Sequence, residues 1–155
     1  MRLSTKGRYG LRAVVDLAMH GQIDEAVSIS SIAARQDLSE SYLEQLIAKL
    51  KKAGIVNSIR GINGGYTLAK APAVITVGDI LRALEGDLVV VECPEIEGEC
   101  AKSGSCVTKY VWKRINDSIN NVVDSMTLQE LLDNSSGILP SKNDQAPSNG
   151  KTFNC

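Results

Sequence analysis

Two short amphipathic segments separated by only three residues place the strongest constraint on how this chain can fold. The first is SISSIAARQ (28–36) and the second is ESYLEQLIAKLKKAG (40–54). The second segment has apolar residues at three- and four-residue spacing, which predicts one buried helical face: Leu43, Leu46, Ile47 and Leu50. Ser39 precedes this helix directly and can cap it. Because DLS (37–39) leaves room only for a tight turn, the sequence predicts a helix-turn-helix.

A hairpin pattern follows the second helix directly. Residues 55–60 alternate apolar and polar side chains, as a half-buried strand does. The glycine-rich stretch GINGG (61–65) can form the tip, and YTLAKAP (66–72) returns as a second strand that stops at Pro72. A hairpin in this place is the wing of a winged helix. We therefore predict a mainly α fold with a small β-hairpin, consisting of a winged helix-turn-helix domain and a long C-terminal dimerisation helix.

The remaining patterns predict further helices and a simple division of the chain. Helical periodicity covers 5–21, 76–86 and 108–126, and a capping box opens the segment 127–132. The last part of the chain is rich in Ser, Asn, Gly and Pro, which is typical of disorder. We predict a winged helix-turn-helix DNA-binding domain (1–86), a cysteine-rich loop (87–107), a dimerisation helix (108–134) and a disordered tail (135–155).

Charge is distributed unevenly between the two halves of the chain. Residues 1–70 contain ten Lys and Arg against six Asp and Glu, a balance of +4, while residues 71–155 have a balance of −5. A basic front half permits binding to double-stranded DNA even though the net charge is −1, because phosphates respond to the local patch.

The predicted recognition helix and wing carry side chains suited to DNA. On the helix, the candidates lie off the apolar stripe: Ser41, Tyr42, Glu44, Gln45 and Lys49. Gln and Glu can read base edges in the major groove, and Lys and Tyr can contact phosphate. On the wing, Arg60 suits a narrow minor groove, and Gly64 and Gly65 allow close approach to a duplex. The alternatives are an ordinary solvated helix face and glycines that serve a tight turn.

The long helix predicted over 108–126 has a wide apolar stripe. Its members are Val111, Trp112, Ile115, Ile119, Val122, Val123 and Met126. The helix could pack within its own subunit, but a small winged-helix body leaves little surface to cover it. We therefore expect a homodimer, which would also place two recognition helices on the half-sites of a palindrome.

Three cysteines lie close together in the segment CPEIEGECAKSGSC (93–106). They are Cys93, Cys100 and Cys106. Neither a secretory leader nor a membrane-spanning run is evident, so we expect a cytoplasmic protein with reduced thiols. An iron–sulfur cluster, a zinc ion and unmetallated cysteines all remain open on spacing alone. Four neighbouring glutamates make a thiol switch a weaker alternative, since negative charge disfavours thiolates.

Several motifs together resemble the IscR/NsrR-type family of winged-helix regulators, most closely its IscR branch. They are MRLSTKGRYG, SYLEQL, the RGINGGY wing, ITVGDILRALEG and the three-cysteine loop followed by VW. The resemblance covers about residues 1–134 and implies an iron–sulfur cluster held by the three loop cysteines in each subunit, with 2Fe–2S favoured over 4Fe–4S. It also implies base contacts from Ser41, Glu44 and Gln45, with Arg60 in the minor groove and Glu44 linked to operator choice. The implied function is repression of cluster-assembly genes while the cluster is present.

Two positions depart from the family pattern at the fourth cluster ligand. Lys109 stands where IscR-like proteins have a histidine, and Arg8 stands where nitric-oxide-sensing relatives have a carboxylate. The spacing of six residues between the first two loop cysteines is also one longer than is usual in IscR. The fourth ligand therefore stays open, with these candidates: His20, Asp16, a loop glutamate, Cys155, water or a small thiol.

Three other functions compete with a cluster-sensing repressor. One is a cluster-free repressor of cysteine and sulfur metabolism controlled by a partner enzyme, as the resemblance implies for some relatives. Another is a nitric-oxide- or redox-sensing repressor. An enzyme is the least supported, because the chain has no CxxC motif, no nucleotide-binding loop and a single histidine for general-base work.

Overall fold

A computed structural model describes residues 3–21, 25–91 and 106–135. Within these ranges the chain forms six α-helices and one two-stranded antiparallel sheet, which confirms the predicted fold class. The helices are α1 (Thr5–His20), α2 (Ile29–Gln36), α3 (Glu40–Lys52), α4 (Val77–Glu85), α5 (Thr108–Ser125) and α6 (Leu128–Ser135). The strands are β1 (Val56–Ile59) and β2 (Gly65–Leu68), and a short 3₁₀ helix covers Pro72–Val74. None of the helices in these ranges has both the length and the apolar character needed to span a membrane.

Side-chain caps fix where α2 and α3 begin. Ser28 accepts a hydrogen bond from the Ser31 backbone N–H, and Ser39 accepts one from that of Tyr42. Between α2 and α3 the chain turns at Asp37, whose φ of 54° lies in the left-handed region that Asp tolerates. These local interactions produce the predicted helix-turn-helix.

The wing is a short hairpin that is tied to the start of α2. Its register pairs Val56 with Leu68 and Ile59 with Gly65. An isolated bridge between Val27 and Tyr66 extends the pairing to a third segment. The predicted return strand was too long, because the chain leaves the sheet after Leu68 and enters the 3₁₀ helix that begins at Pro72.

The C-terminal region contributes to the core of the winged-helix body. The predicted dimerisation segment 108–134 is divided into α5 and α6, because Met126 adopts an extended backbone conformation and Thr127 forms a capping box with Glu130. At this break, the Val77 N–H donates to the Met126 carbonyl at 2.9 Å, and the Leu128 N–H donates to the Ile75 carbonyl at 2.8 Å. Leu128 is fully buried among core residues from α1, α3 and α4. Helix α6 therefore belongs to the body, and it extends to Ser135, one residue into the predicted tail.

Candidate functional site

Helix α3 separates a buried face from an exposed one. Leu43, Leu46, Ile47 and Leu50 are at most 1% exposed and pack into the core. Ser41, Glu44 and Gln45 lie on the opposite, exposed face. Within the described residues, no hydrogen bond or ion pair engages the Glu44 or Gln45 side chain. Both side chains can therefore reach a base edge without first leaving a protein partner.

Tyr42 is half-buried because it contacts the first helix. Its hydroxyl donates to Thr5 Oγ1 at 3.4 Å, and its ring meets that of Tyr9 edge-on, with centroids 6.3 Å apart. The first turns of α1 thus support the start of the recognition helix. The sequence pattern alone did not indicate this contact, because it joins residues 37 positions apart.

Lys49 is exposed, but it already has a partner. Its Nζ donates to the Leu84 carbonyl at 3.3 Å, near the end of α4. A phosphate contact by Lys49 would have to replace this hydrogen bond. In the next turn, Lys51 Nζ donates to Ser58 Oγ at 2.6 Å and so links α3 to the wing.

The wing presents Arg60 at an exposed position just after β1. Gly61 has a φ of 123°, so the positive φ expected of the tip is found there. Gly64 and Gly65 have a different structural role: a Cβ on Gly64 would lie 2.5 Å from the Ile59 carbonyl oxygen, and one on Gly65 would overlap the Val27 backbone. Close backbone contacts, with Ile59 inside the wing and with Val27 before α2, thus account for both of these glycines. The positive φ of a tight turn, which was the alternative interpretation of the sequence, is found at Gly61 and at neither of them.

Of the three loop cysteines, only Cys106 is among the described residues; Cys93 and Cys100 lie outside them. Cys106 is half-buried and free, with Sγ 3.2 Å from Thr108 Oγ1 at the beginning of α5. No side chain caps this helix start. Uncapped N–H groups and the helix dipole favour an anionic ligand group such as a thiolate. Cys106 therefore fits as one cluster ligand, although no group of three or more His, Cys, Asp or Glu is assembled in the described ranges.

Asp16, one of the candidates for the fourth cluster ligand, is buried and already has protein partners. Its side chain is 3% exposed, and it accepts hydrogen bonds from Arg35 Nη2 at 2.6 Å and from Gln36 Nε2 at 2.8 Å. Burial raises the pKa of Asp16, but the hydrogen bonds from Arg35 and Gln36 outweigh this effect and hold the pKa below its ordinary value. The carboxylate thus joins α1 to α2, and that role explains its burial.

Of the remaining candidate residues for the fourth ligand, only His20 lies in the described ranges, and it has a protein partner as well. His20 Nδ1 lies 2.9 Å from the Asp16 carbonyl oxygen and can donate to it, as expected for a group at a helix end. Lys109, which stands where IscR-like proteins have a histidine, has its Nζ 5.4 Å from the centroid of the Tyr110 ring. Arg8 lies over the Tyr9 ring at 5.9 Å. Cys155 and the loop glutamates lie outside the described residues.

A polar seam on α5 holds the chain that leads into the cysteine loop. The buried Asn116 accepts from the Val90 N–H at 2.8 Å, and Asn120 Nδ2 donates to the Leu88 carbonyl at 3.2 Å. One turn further, Asp124 accepts two hydrogen bonds from Arg82 of α4, at 2.7 and 2.8 Å. The approach to the loop and its exit at Cys106 are thus both attached to α5. Sequence analysis missed this seam, although polar residues at four-residue spacing in an amphipathic helix were a usable signal.

The rest of the α5 surface retains apolar side chains in contact with solvent. Val111, Ile115 and Val122 are 51%, 36% and 56% exposed, respectively, and they follow one helical face. Trp112, Ile119, Val123 and Met126 from the predicted stripe are half-buried. The stripe is therefore only partly covered by the body of its own chain.

Known proteins resemble this chain in both sequence and fold. Residues 3–134 match the Rrf2 family, described as iron-dependent transcriptional regulators. The transcriptional regulator CymR of Bacillus subtilis is 48% identical over 132 residues, which cover 84% of this chain and 89% of that protein.

Two solved structures have nearly equal similarity to this chain. The structure of T. potens IscR has a TM-score of 0.73 and 45% identity, covering 92% of this chain and 94% of its own. That of CymR, the global cysteine regulator of B. subtilis, has a TM-score of 0.72 and 42% identity, covering 86% and 98%. This chain belongs to the Rrf2 family of transcriptional regulators.

Proposed function

We propose that the protein is an iron–sulfur-cluster-dependent repressor in the cytoplasm that binds palindromic operators as a homodimer and controls cluster-assembly genes. The observation that carries this proposal is the three-thiol loop whose approach and exit are both attached to α5. Cys93, Cys100 and Cys106 would hold the cluster. Bound there, the cluster would supply metal–thiolate bonds that are lost on oxidation or iron depletion. The family's description as iron-dependent supports iron rather than zinc at this site.

The exposed face of α3 and the wing would bind the operator. Ser41, Glu44 and Gln45 would contact base edges in the major groove, while Arg60 would enter the adjacent minor groove. Tyr42 would contact phosphate from its position against α1. The wing glycines would serve this contact indirectly, because they allow the tight backbone that presents Arg60.

The apolar face of α5 would form the dimer interface. Val111, Ile115 and Val122 are too exposed to be explained by packing within one subunit. Burying them against the same face of a second copy would remove this apolar surface from water. Because α5 also holds the approach to the cysteine loop, events in the loop would act directly on the helix that sets the spacing of the two DNA-reading surfaces.

A cluster-free repressor of cysteine metabolism is the second candidate. It is favoured by the similarity to CymR, which is the global cysteine regulator of B. subtilis. In that case a partner protein would control DNA binding, and the loop cysteines would be dispensable for repression.

An anaerobic reconstitution with iron and sulfide tests the first proposal. We expect brown protein with visible absorption, stoichiometric iron and sulfide, and a change in operator affinity when the iron is removed. Cys100→Ala should abolish the absorption, because a cluster held by two loop thiols is not retained. Ser103→Ala is the matched control, since it changes the same loop without removing a thiol, and it should keep the absorption. Colourless, iron-free parent protein would reject the proposal. Normal repression by the Cys100 variant, with a co-purifying enzyme, would favour the second candidate.

A further inference from the structure

The carboxylate of Glu85, at the end of α4, is bound to the first turn of α1. Its Oε1 accepts hydrogen bonds from the Ser4 N–H at 2.9 Å, from Ser4 Oγ at 2.6 Å and from the Gly7 N–H at 2.8 Å. These residues are about eighty positions apart in sequence, so the contact joins two separate helices. A carboxylate at the start of a helix also satisfies N–H groups that have no partner within the helix.

The first turn of α1 is shaped around this carboxylate. A Cβ on Gly7 would lie 2.6 Å from Glu85 Oε1, and one on Gly10 would overlap Leu84. A larger residue at either position would therefore displace the Glu85 carboxylate or the Leu84 side chain. Partial burial raises the pKa of Glu85, but the hydrogen bonds from Ser4 and Gly7 outweigh this effect and keep the pKa below its ordinary value.

The same turn of α1 lies beside the proposed DNA-reading surface. Thr5 accepts the hydrogen bond from the hydroxyl of Tyr42, and Tyr9 packs against the Tyr42 ring. Lys6 and Arg8, two exposed cations, are in the same turn. A shift of this turn would therefore move a contact of the recognition helix and two positive charges together.

Helix α4 also contacts α5, the helix that holds the cysteine loop. Arg82, three residues before Glu85, binds Asp124 at 2.7 and 2.8 Å and Asn120 at 2.7 Å. Helix α4 is only nine residues long. It thus contacts the loop-bearing helix through Arg82 and the start of α1 through Glu85.

We infer that Glu85 is a positioning residue for operator binding, which fixes the first turn of α1 against α4 and thereby aligns Tyr42 and its neighbouring cations with the DNA. This inference rests on the proposed function only in placing α3 at the operator. Glu85 itself would not contact the DNA. It would affect binding indirectly, because its hydrogen bonds with Ser4 and Gly7 fix the position of the first turn of α1.

Removing the charge of Glu85 distinguishes a positioning role from a purely electrostatic one, because the two predict opposite changes in DNA affinity. Replacing a glutamate with glutamine removes a negative charge, and long-range electrostatics alone would then strengthen binding to DNA. Loss of a positioning contact would weaken binding instead. Glu130→Gln is the matched control, because within the described part of the chain the hydrogen bonds of Glu130 belong to the capping box of α6, where glutamine is also accepted.

The experiment measures affinity for a duplex that the parent protein enriches from a random-sequence pool. For Glu85→Gln we expect binding about 5- to 20-fold weaker, which is the size expected when charge-assisted hydrogen bonds are lost. Glu85→Ala should weaken binding further, since no acceptor remains, whereas Glu130→Gln should bind as the parent does or slightly more tightly. Circular dichroism and native mass must show that each variant is folded and has the parent's oligomeric state.

Salt dependence separates positioning from a loss of folded protein. If the cations of the α1 turn lose their alignment, about one or two phosphate contacts should be lost. The slope of the logarithm of the DNA-binding constant against the logarithm of the salt concentration should then become shallower by the corresponding amount. A smaller folded fraction would lower the affinity without changing this slope. Ser4→Ala combined with Glu85→Gln should cost less than the sum of the single changes, because both act on one contact.

Binding by Glu85→Gln as tight as by Glu130→Gln, or weaker with an unchanged salt slope, would overturn the inference. The same titrations, made with iron-loaded and iron-stripped parent protein, report separately on the proposed function. Equal binding of the two parent forms would reject iron control while leaving the effect of Glu85 intact.

Discussion

The buried carboxylate of Asp16 stabilises the fold through its charge. It is held by Arg35, which is 33% exposed, and by Gln36. The pKa of Asp16 lies below the ordinary 3.8 in the folded protein, so the unfolded chain takes up the proton first as the pH falls. The stabilisation is therefore complete well above pH 3.8, and it is lost as the pH falls through this value toward the lower pKa of the folded state.

Replacing Asp16 with asparagine should lower the free energy of unfolding by about 1–3 kcal/mol at neutral pH, because Arg35 loses its charged partner. The difference from the parent should shrink as the pH is lowered, since the parent carboxylate then also becomes neutral. Urea unfolding at several pH values measures both effects. Asp117→Asn is the control, because its exposed ion pair with Lys113 should contribute less than about 1 kcal/mol. A constant difference between Asp16→Asn and the parent down to strongly acidic pH would contradict this explanation.

At the scale of the helices, sequence reasoning succeeded where the determinants are local. Ser39 caps the helix that it immediately precedes, and the predicted tight turn before that helix is formed at Asp37. The contacts that assemble these helices are not local. Asp16 with Arg35, Glu85 with Ser4 and Arg82 with Asp124 join residues 19, 81 and 42 positions apart.

The candidate site was predictable to a similar degree. Periodicity correctly separated the exposed residues of α3 from the buried ones, because a helix with one apolar face has only one way to face the core. It did not indicate that Tyr42 packs on α1 or that Lys49 bonds to the end of α4, since both partners come from other helices. Asp16 was considered as a cluster ligand because sequence alone cannot show that a carboxylate is already paired.

Helix α5 provides a prediction at the scale of one element. Ile115→Asp places a charge in the middle of the exposed apolar face, where burial against a second copy would be costly. We expect the protein to become monomeric in light scattering and to bind an operator duplex at least about tenfold more weakly, because two linked half-site contacts become independent. Asn121→Asp adds the same charge on another side of α5 and should leave the dimer intact. A dimeric Ile115 variant would exclude this face as the interface.

At the scale of the whole molecule, the position of α4 explains how distant parts of the chain can respond together. Both the loop-bearing helix α5 and the turn of α1 beside the recognition helix are attached to this one short element. The core clusters on either side of α4 share Leu11 as a partly buried neighbour. The chain thus offers a continuous path of contacts through α4 from α5 to the proposed DNA-reading surface, which is what a coupled two-state response would require.

The size of the coupling between iron loading and operator binding gives a test of this arrangement. If iron loading changes operator affinity by some factor, operator binding must change iron affinity by the same factor, because both describe one coupling free energy. For a coupling of about 1–3 kcal/mol, the expected factor is about 5 to 150. Operator titrations with loaded and stripped protein give one value, and chelator titrations with and without duplex at equilibrium give the other. Glu85→Gln should reduce both factors equally if α4 carries the coupling, whereas Glu130→Gln should leave both unchanged. Unchanged factors in Glu85→Gln would show that α4 does not carry the coupling, whereas unequal factors in the parent protein would show that the titrations had not reached equilibrium.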